Sequence, residues 1–374
     1  MKQRVKVRGV ALALGLALVL AVGAGGGSRE AEAAPRKARL VDLAGREVEV
    51  PVPAQRVVAI GPGALRLVCY VDGAERVVGV EELEKRQPTG RPYLLAHPEL
   101  AKLPTIGPGG PDSTPDAEKL VSINPDVIFV AYLVDRAKAD ELQAKTGIPV
   151  VVLSYGRLAT FDEAVYQSLL LIGRVIGKEK RAQEVVSYLQ KCQQDLQART
   201  QGIPLEQKPK VYVGAVSMKG SHGIESTQAQ YPPFTAINAR NVADETGRAG
   251  SLMIDREKLL LWDPELIFLD QGGLNLVLED YRKNPRFYQS LQAFRQGRVY
   301  GLLPYNYYTT NLDTAVADAY YAGKVIFPER FQDVDPARKA DEIYRFLLGR
   351  PVYEQMAKDY GGFKKLDFPP PAGD

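Results

Sequence analysis

The chain has 374 residues, enough for two domains, each with a core of its own. Its composition, 45% hydrophobic and 25% charged, excludes a disordered or low-complexity chain. The net charge of +3 comes from scattered Lys and Arg and gives no electrostatic basis for nucleic-acid binding.

Lys2, Arg4, Lys6 and Arg8 precede an apolar run from Gly9 to Ala24, and Ala31-Glu32-Ala33 follows as a cleavage-type tripeptide. This layout predicts a secretory signal peptide over residues 1–33 and an extracytoplasmic address, with an uncleaved anchor as the alternative. The run is shorter than the ~20 residues of a membrane span. No cysteine follows it closely, so no lipid-anchor cysteine is expected. Cys69 and Cys192 fall in helix-like segments and make neither a disulfide framework nor a metal motif.

Arg39–Val50 alternates around Gly45-Arg46 and predicts a hairpin. Val57–Ile60 is a short strand ended by Gly61-Pro62-Gly63, and Ala64–Val71 is a helix. Arg76–Val80 is a strand, and Asp116–Ile123 a capped helix stopped by Pro125. Asp126–Ala131 and Pro149–Leu153 are buried strands separated by the helix Lys138–Thr146. Phe161–Thr200 is helical, with Val185, Leu189, Cys192 and Leu196 on one face and a break at Gly177. From Glu179 to Thr200 such a helix is ~33 Å long. Lys210–Val216, Glu265–Leu269 and Arg298–Leu303 are further strands; Asp313–Phe327 and Pro336–Leu348 are further helices. Tyr281, Tyr320, Tyr321 and Trp262 fall at packing positions.

Two segments nearly repeat. Asp116–Val130 (DAEKLVSINPDVIFV) and Asp255–Leu269 (DREKLLLWDPELIFL) share seven of fifteen residues at an offset of 139. The repeat, with strands alternating with helices, predicts an α/β protein of two doubly wound parallel-sheet lobes. The limits are residues 39–158 and 208–366, joined through a helical region at 159–202, with a ligand cleft between the lobes.

The segments Arg56–Val80, Ile106–Phe129 and Asp255–Leu269, with the long helical stretch, resemble the substrate-binding proteins of iron-complex and cobalamin ABC importers. Gly220–Phe234 and Pro304–Lys324 are similar to a branch that includes binders of iron complexes and of molybdate or tungstate. The resemblance implies two lobes on one long helix, an ABC permease as membrane partner, and a monomer. It also implies a Glu on the first-lobe helix that pairs with a permease Arg. Here Arg66 stands at that position, so Glu75, Glu81, Asp244 or Glu245 become candidates for docking.

Ligands of open parallel sheets bind beyond the carboxyl ends of the strands. That rule selects Gly61, Pro62, Gly63, Tyr132, Ser154 and Tyr155 in the first lobe. In the second it selects Ser217, Lys219, His222, Asp270, Gln271 and the run Tyr305, Asn306, Tyr307, Tyr308, Thr309, Thr310 and Asn311. Gly61-Pro62-Gly63 either offers backbone N–H groups to an anion or simply makes a tight turn. His222 is either a ligand to iron or haem or a hydrogen-bonding loop residue. The Tyr305–Asn311 run offers donors, acceptors and flat faces suited to a chelate, and phenolate oxygen suits ferric iron.

No nucleophile elbow, zincin motif or phosphate loop occurs, so no catalytic residue, cofactor or enzyme activity is expected. The leading expectation is capture of an iron complex for an ABC importer. A molybdate or tungstate oxyanion is the alternative ligand, and an enzyme on the same scaffold the alternative class.

Overall fold

The computed structural model describes residues 36–86, 89–110, 113, 115–131, 135–157, 159–217 and 220–369. The expected signal segment, and Tyr132 and Lys219 of the expected site, lie outside the described residues. Among the described residues, no helix is long and apolar enough to cross a membrane.

β1 (Arg36–Val41) and β2 (Glu47–Val52) form the expected hairpin, with Arg39 opposite Glu49. The first sheet follows: β3 (Val57–Ile60), β4 (Val77–Gly79), β5 (Val127–Val130) and β6 (Val150–Val152), all parallel, in the order β4-β3-β5-β6. These β-branched runs have no polar face because helices cover both sides of a parallel sheet. β3 and β5 are buried along their whole length.

Downstream are β7 (Lys210–Gly214), β8 (Ser226–Ala229), β9 (Arg240–Asn241), β10 (Gly250–Met253), β11 (Leu266–Asp270), β12 (Val299–Leu302) and β13 (Lys364–Lys365). The second sheet runs β13-β12-β11-β7-β9 and is parallel except for β13. β8 and β10 pair as a separate antiparallel ribbon. The sequence pattern did not announce them, since their side chains pack in a short two-stranded ribbon without a long alternating run.

The repeat has a structural meaning. Asp116 caps the helix Ala117–Ile123 by accepting from the Lys119 amide, Asn124 ends it in a left-handed conformation, and β5 follows. Asp255 caps Arg256–Trp262 through Lys258, Asp263 ends it the same way, and β11 follows. β5 and β11 are interior strands of their sheets. Each copy is therefore a capped helix, a Pro stop and a buried strand, in equivalent places of two lobes.

The helix Glu179–Thr200 lies in sequence between the sheets and has 22 residues. It packs on the helix Glu163–Ile176 and, towards the second sheet, on Pro232–Ala236 and Leu312–Ile326. Gly177 ends the preceding helix in a left-handed conformation, which is the break the sequence marked. Cys69 and Cys192 are both buried and unpaired.

The cores are not separate, contrary to the expectation from chain length. One apolar cluster runs from Val57 and Phe129 to Val213 and Phe268, through Ala315, Val316 and Ala319. The helix Leu312–Ile326 is buried nearly throughout, packed against Pro336–Leu348, Pro232–Ala236 and Glu179–Thr200. A shared core resists hinge opening more than two cores on a flexible linker would.

Candidate functional site

The carboxyl ends of β3, β7, β11 and β12 converge on a cleft of about 530 Å3 between the two sheets. Pro62, Leu83 and Arg91 form its first-lobe side. Ser217, Gly220, Ser221 and Gly272 face them, with Pro304 and the run Asn306, Tyr307, Tyr308 and Thr309. Tyr360, from the end of the helix Tyr353–Tyr360, completes the wall.

Arg91 is the charged group on the described wall. It precedes the helix Pro92–Ala96 and is 1% exposed. Its Nη1 donates to the Leu83 carbonyl and to Glu84 Oε2, each at 2.8 Å. Glu84 Oε2 also accepts from the Tyr93 hydroxyl at 2.6 Å. The guanidinium lies over the rings of Tyr307 and Tyr308, 5.0 and 5.1 Å from their centroids. Among the described residues its Nε has no hydrogen-bond partner. A buried guanidinium with an unspent donor suits an anionic oxygen.

Behind the wall, Tyr308 donates to Glu81 Oε2 at 2.8 Å and accepts from the Gly110 amide at 2.9 Å. Glu81 also accepts from the Gly61 amide. Burial pushes the Glu81 carboxyl up to about 7, although these two bonds favour its charge. Burial, and the neighbouring Glu81, likewise push the Tyr308 phenol up. Burial also raises Tyr305 and Tyr360. The Tyr308 and Tyr305 hydroxyls are thus donors, spent on Glu81 and Gln228.

Of the residues expected at the site, Pro62, Asn306, Tyr307 and Tyr308 line the cleft, as does Ser217. Others serve the frame behind it. The Gly61 amide is used on Glu81, so it is not offered to a ligand. Gly63 has φ +88°, and a Cβ there would stand 2.5 Å from the Tyr155 hydroxyl. At Gly61, φ +83°, it would meet the Ala131 carbonyl oxygen at 2.5 Å. Both glycines are thus required by a sharp turn in close quarters. Tyr155 is buried and donates to the Gly63 carbonyl. Ser154 bonds with Ser168.

Gln271 is buried and ties the Leu302 and Gly362 carbonyls together. Asp270 is buried beside it, accepts from the Gly272 amide, and is pushed up to about 7 by burial. Tyr305 turns inward and donates to Gln228 Oε1. Asn311 is buried and donates to the Gly90 carbonyl. His222 is half-buried and does not line the cleft; its carbonyl packs on Gly273. His97 contacts Glu99 instead. Among the described residues, no group of three His, Cys, Asp or Glu could hold a metal ion.

Thr309, inside the expected Tyr305–Asn311 run, also lines the cleft, whereas Leu83, Arg91, Gly220, Gly272, Pro304 and Tyr360 line it without having been expected there. Arg91 and Tyr360 had no signal in the sequence, because their place depends on which loops meet.

Arg66 is wholly buried, so it does not dock a partner. Its Nη1 donates to the Thr310 carbonyl at 2.9 Å and the Tyr155 hydroxyl at 3.3 Å. Its Nη2 donates to the Tyr307 and Tyr308 carbonyls at 2.9 and 3.2 Å. Glu81, a docking candidate by sequence, is also buried.

Residues 57–305 match the family model described as periplasmic binding protein. The molybdate-binding protein MolA of Haemophilus influenzae is 24% identical over 325 residues, covering 82% of this chain and 89% of that protein. A structure of MolA bound to molybdate superposes with a TM-score of 0.67 at 20% identity, covering 84% of this chain and 98% of that one. A periplasmic solute binding protein from Veillonella parvula gives a TM-score of 0.69 at 19% identity, covering 87% and 97%.

Proposed function

The chain belongs to the periplasmic binding protein family and is a substrate-binding protein of an ABC transporter, and from that premise we propose that its ligand is a compact metal oxyanion of the molybdate type. The observation that carries this is the Arg91 guanidinium, buried at the cleft wall with a free Nε and ringed by Tyr307, Tyr308 and Tyr360. A guanidinium donates charge-assisted hydrogen bonds to anionic oxygen. The molybdate-binding relative supports the same chemistry. Sequence reasoning put an iron complex first; the Arg91 guanidinium at the wall and the molybdate-binding relative are what place the oxyanion ahead of it in this proposal. The second reading, an anionic ferric chelate, is favoured by the flat faces of the same tyrosines and by a cleft within the range of small-molecule pockets.

Capture takes place outside the cytoplasm, by a monomer exported through its N-terminal segment. Residues 39–158 and 208–366 act as the two lobes and 159–202 as the strut. No bond is made or broken; relatives of this family bind and deliver.

The test is calorimetry of the purified protein with sodium molybdate, tungstate, sulfate and phosphate, ferric catecholate and haem. Molybdate and tungstate are expected to bind one to one, at least about tenfold tighter than sulfate or phosphate, a difference of about 1.4 kcal/mol. Binding of the ferric chelate or haem alone replaces this reading with the second. Turnover of any of them reopens the enzyme class.

The repeat also suggests how the permease is met. A helix that precedes a parallel strand runs against it, so its first turn sits at the carboxyl edge of the sheet, where the cleft opens. Glu118 and Glu257 occupy matching first-turn positions of the two repeat helices, and both are exposed. Val121 and Leu260, also matched, are exposed apolar neighbours. Two like contacts, one per lobe, suit a membrane partner with two like halves. Reversing both charges (Glu118→Lys with Glu257→Lys) is expected to cut ligand-driven transport into proteoliposomes at least about tenfold while ligand affinity stays unchanged. Unimpaired transport would remove this face as the docking surface.

A further inference from the structure

We propose that Arg66 is a positioning residue for ligand capture: from the first lobe it holds the second-lobe turn that carries Tyr307 and Tyr308 into the cleft. The proposal rests on the cleft being the ligand site.

Arg66 lies mid-helix in Ala64–Tyr70 and is fully buried. A buried arginine ordinarily faces a carboxylate. Among the described residues this one makes no ion pair; it spends its fork on the carbonyls of Tyr307, Tyr308 and Thr310. Those carbonyls converge because the turn is unusual. Asn306 and Thr310 bridge as a tight antiparallel pair, and between them Tyr308 and Thr309 both take left-handed conformations, φ 52° and 69°. For a β-branched threonine that conformation is disfavoured and needs outside support. A planar guanidinium with two parallel donor edges supplies it; a lysine, as a point charge, does not.

The consequence reaches the ligand wall. The turn so held seats the Tyr308 hydroxyl on Glu81 and both tyrosine rings on Arg91. The loop after β12 is second-lobe by sequence, and Tyr305 and Asn306 bond within that lobe, yet Tyr307, Tyr308 and Thr310 are fastened to the first. Ligand donors from both lobes therefore keep one fixed geometry before any ligand arrives, which lowers the ordering cost of binding.

Three variants test this: Arg66→Met, Arg66→Lys, and Arg66→Met combined with Thr309→Gly. In the protein without ligand, hydrogen exchange of residues 304–311 is expected to quicken about tenfold or more in Arg66→Met, with β3 amides unchanged. Molybdate affinity is expected to fall about 10- to 100-fold by calorimetry. Adding Thr309→Gly is expected to regain at least about threefold of that affinity, because glycine takes the left-handed turn unaided. A purely structural role for Arg66 inside its helix predicts no such rescue. Unchanged exchange at 304–311, or no recovery with the glycine, overturns the proposal. Should Arg66→Met fail to fold, Arg66→Lys keeps the buried charge but lacks the fork, and the same exchange and rescue comparisons decide. If the wild-type protein binds none of the anions, the ligand reading fails, and the exchange measurement still decides the role of Arg66.

Discussion

Replacing Arg91 by methionine is expected to abolish oxyanion binding and to lower stability by about 3–5 kcal/mol, the usual cost of stranding one member of a buried ion pair. The two losses have different sources. Binding goes because the wall loses its charge. Stability goes because Glu84, 3% exposed, is left with the Tyr93 hydroxyl as its side-chain partner. Combining Arg91→Met with Glu84→Gln separates them: stability should return in large part, while binding stays at least about 100-fold weaker. Urea denaturation and calorimetry on the same samples read both. Retained affinity in the double variant would show that Arg91 is part of the frame and not of the site.

The second large effect is on pH. Burial raises Glu81 from 4.5 to about 7, Asp270 from 3.8 to about 7 and Asp313 from 3.8 to about 6. Each raised carboxyl binds a proton in the folded protein at a pH where the unfolded chain has released it. The stabilisation is full below the unfolded value and is lost as pH rises through the folded one. For Glu81 the loss is on the order of 3 kcal/mol. Asp333, held at about 2 by its bonds to Arg199, acts in the opposite sense, but only in a lower window. Between pH 5 and pH 8 the buried carboxyls therefore dominate, and the melting temperature should fall across that range. Glu81→Gln keeps an oxygen for Tyr308 and Gly61 but cannot ionise, so it should flatten part of the slope. A melting temperature that climbs from pH 5 to pH 8, or a slope untouched by Glu81→Gln, would falsify the assignment. Anion binding should follow the same direction, tightening as Glu81 takes up its proton near the cleft.

Much of the fold was legible because its signals are local. Asp116 and Asp255 cap, Pro125 and Pro264 stop, and the runs VIFV and LIFL have no polar face, so helix, turn and buried strand could be read twice. The long helix Glu179–Thr200 was legible from its periodicity. The ribbon β8–β10 was not, because its partners lie some twenty residues apart and neither alternates cleanly. The site was legible only as a set of loops. Tyr305 and Tyr307 are near neighbours in sequence, yet Tyr305 is buried against Gln228 and Tyr307 lines the cleft. Local pattern gives no preference between them. Arg66 shows the same limit: its identity broke a family pattern, and its use became clear only when Tyr307, Tyr308 and Thr310 were found across the lobe boundary.

Sequence alone determined the duplicated helix–strand unit, the parallel α/β lobes and the strut between them, since caps, stops and periodicity act over a few residues. Tertiary structure decided the shared core, the choice of Arg91 as the charged wall and the burial that raises Glu81. Those depend on which distant segments meet and on how much water they exclude, and no neighbouring residue in the chain encodes either.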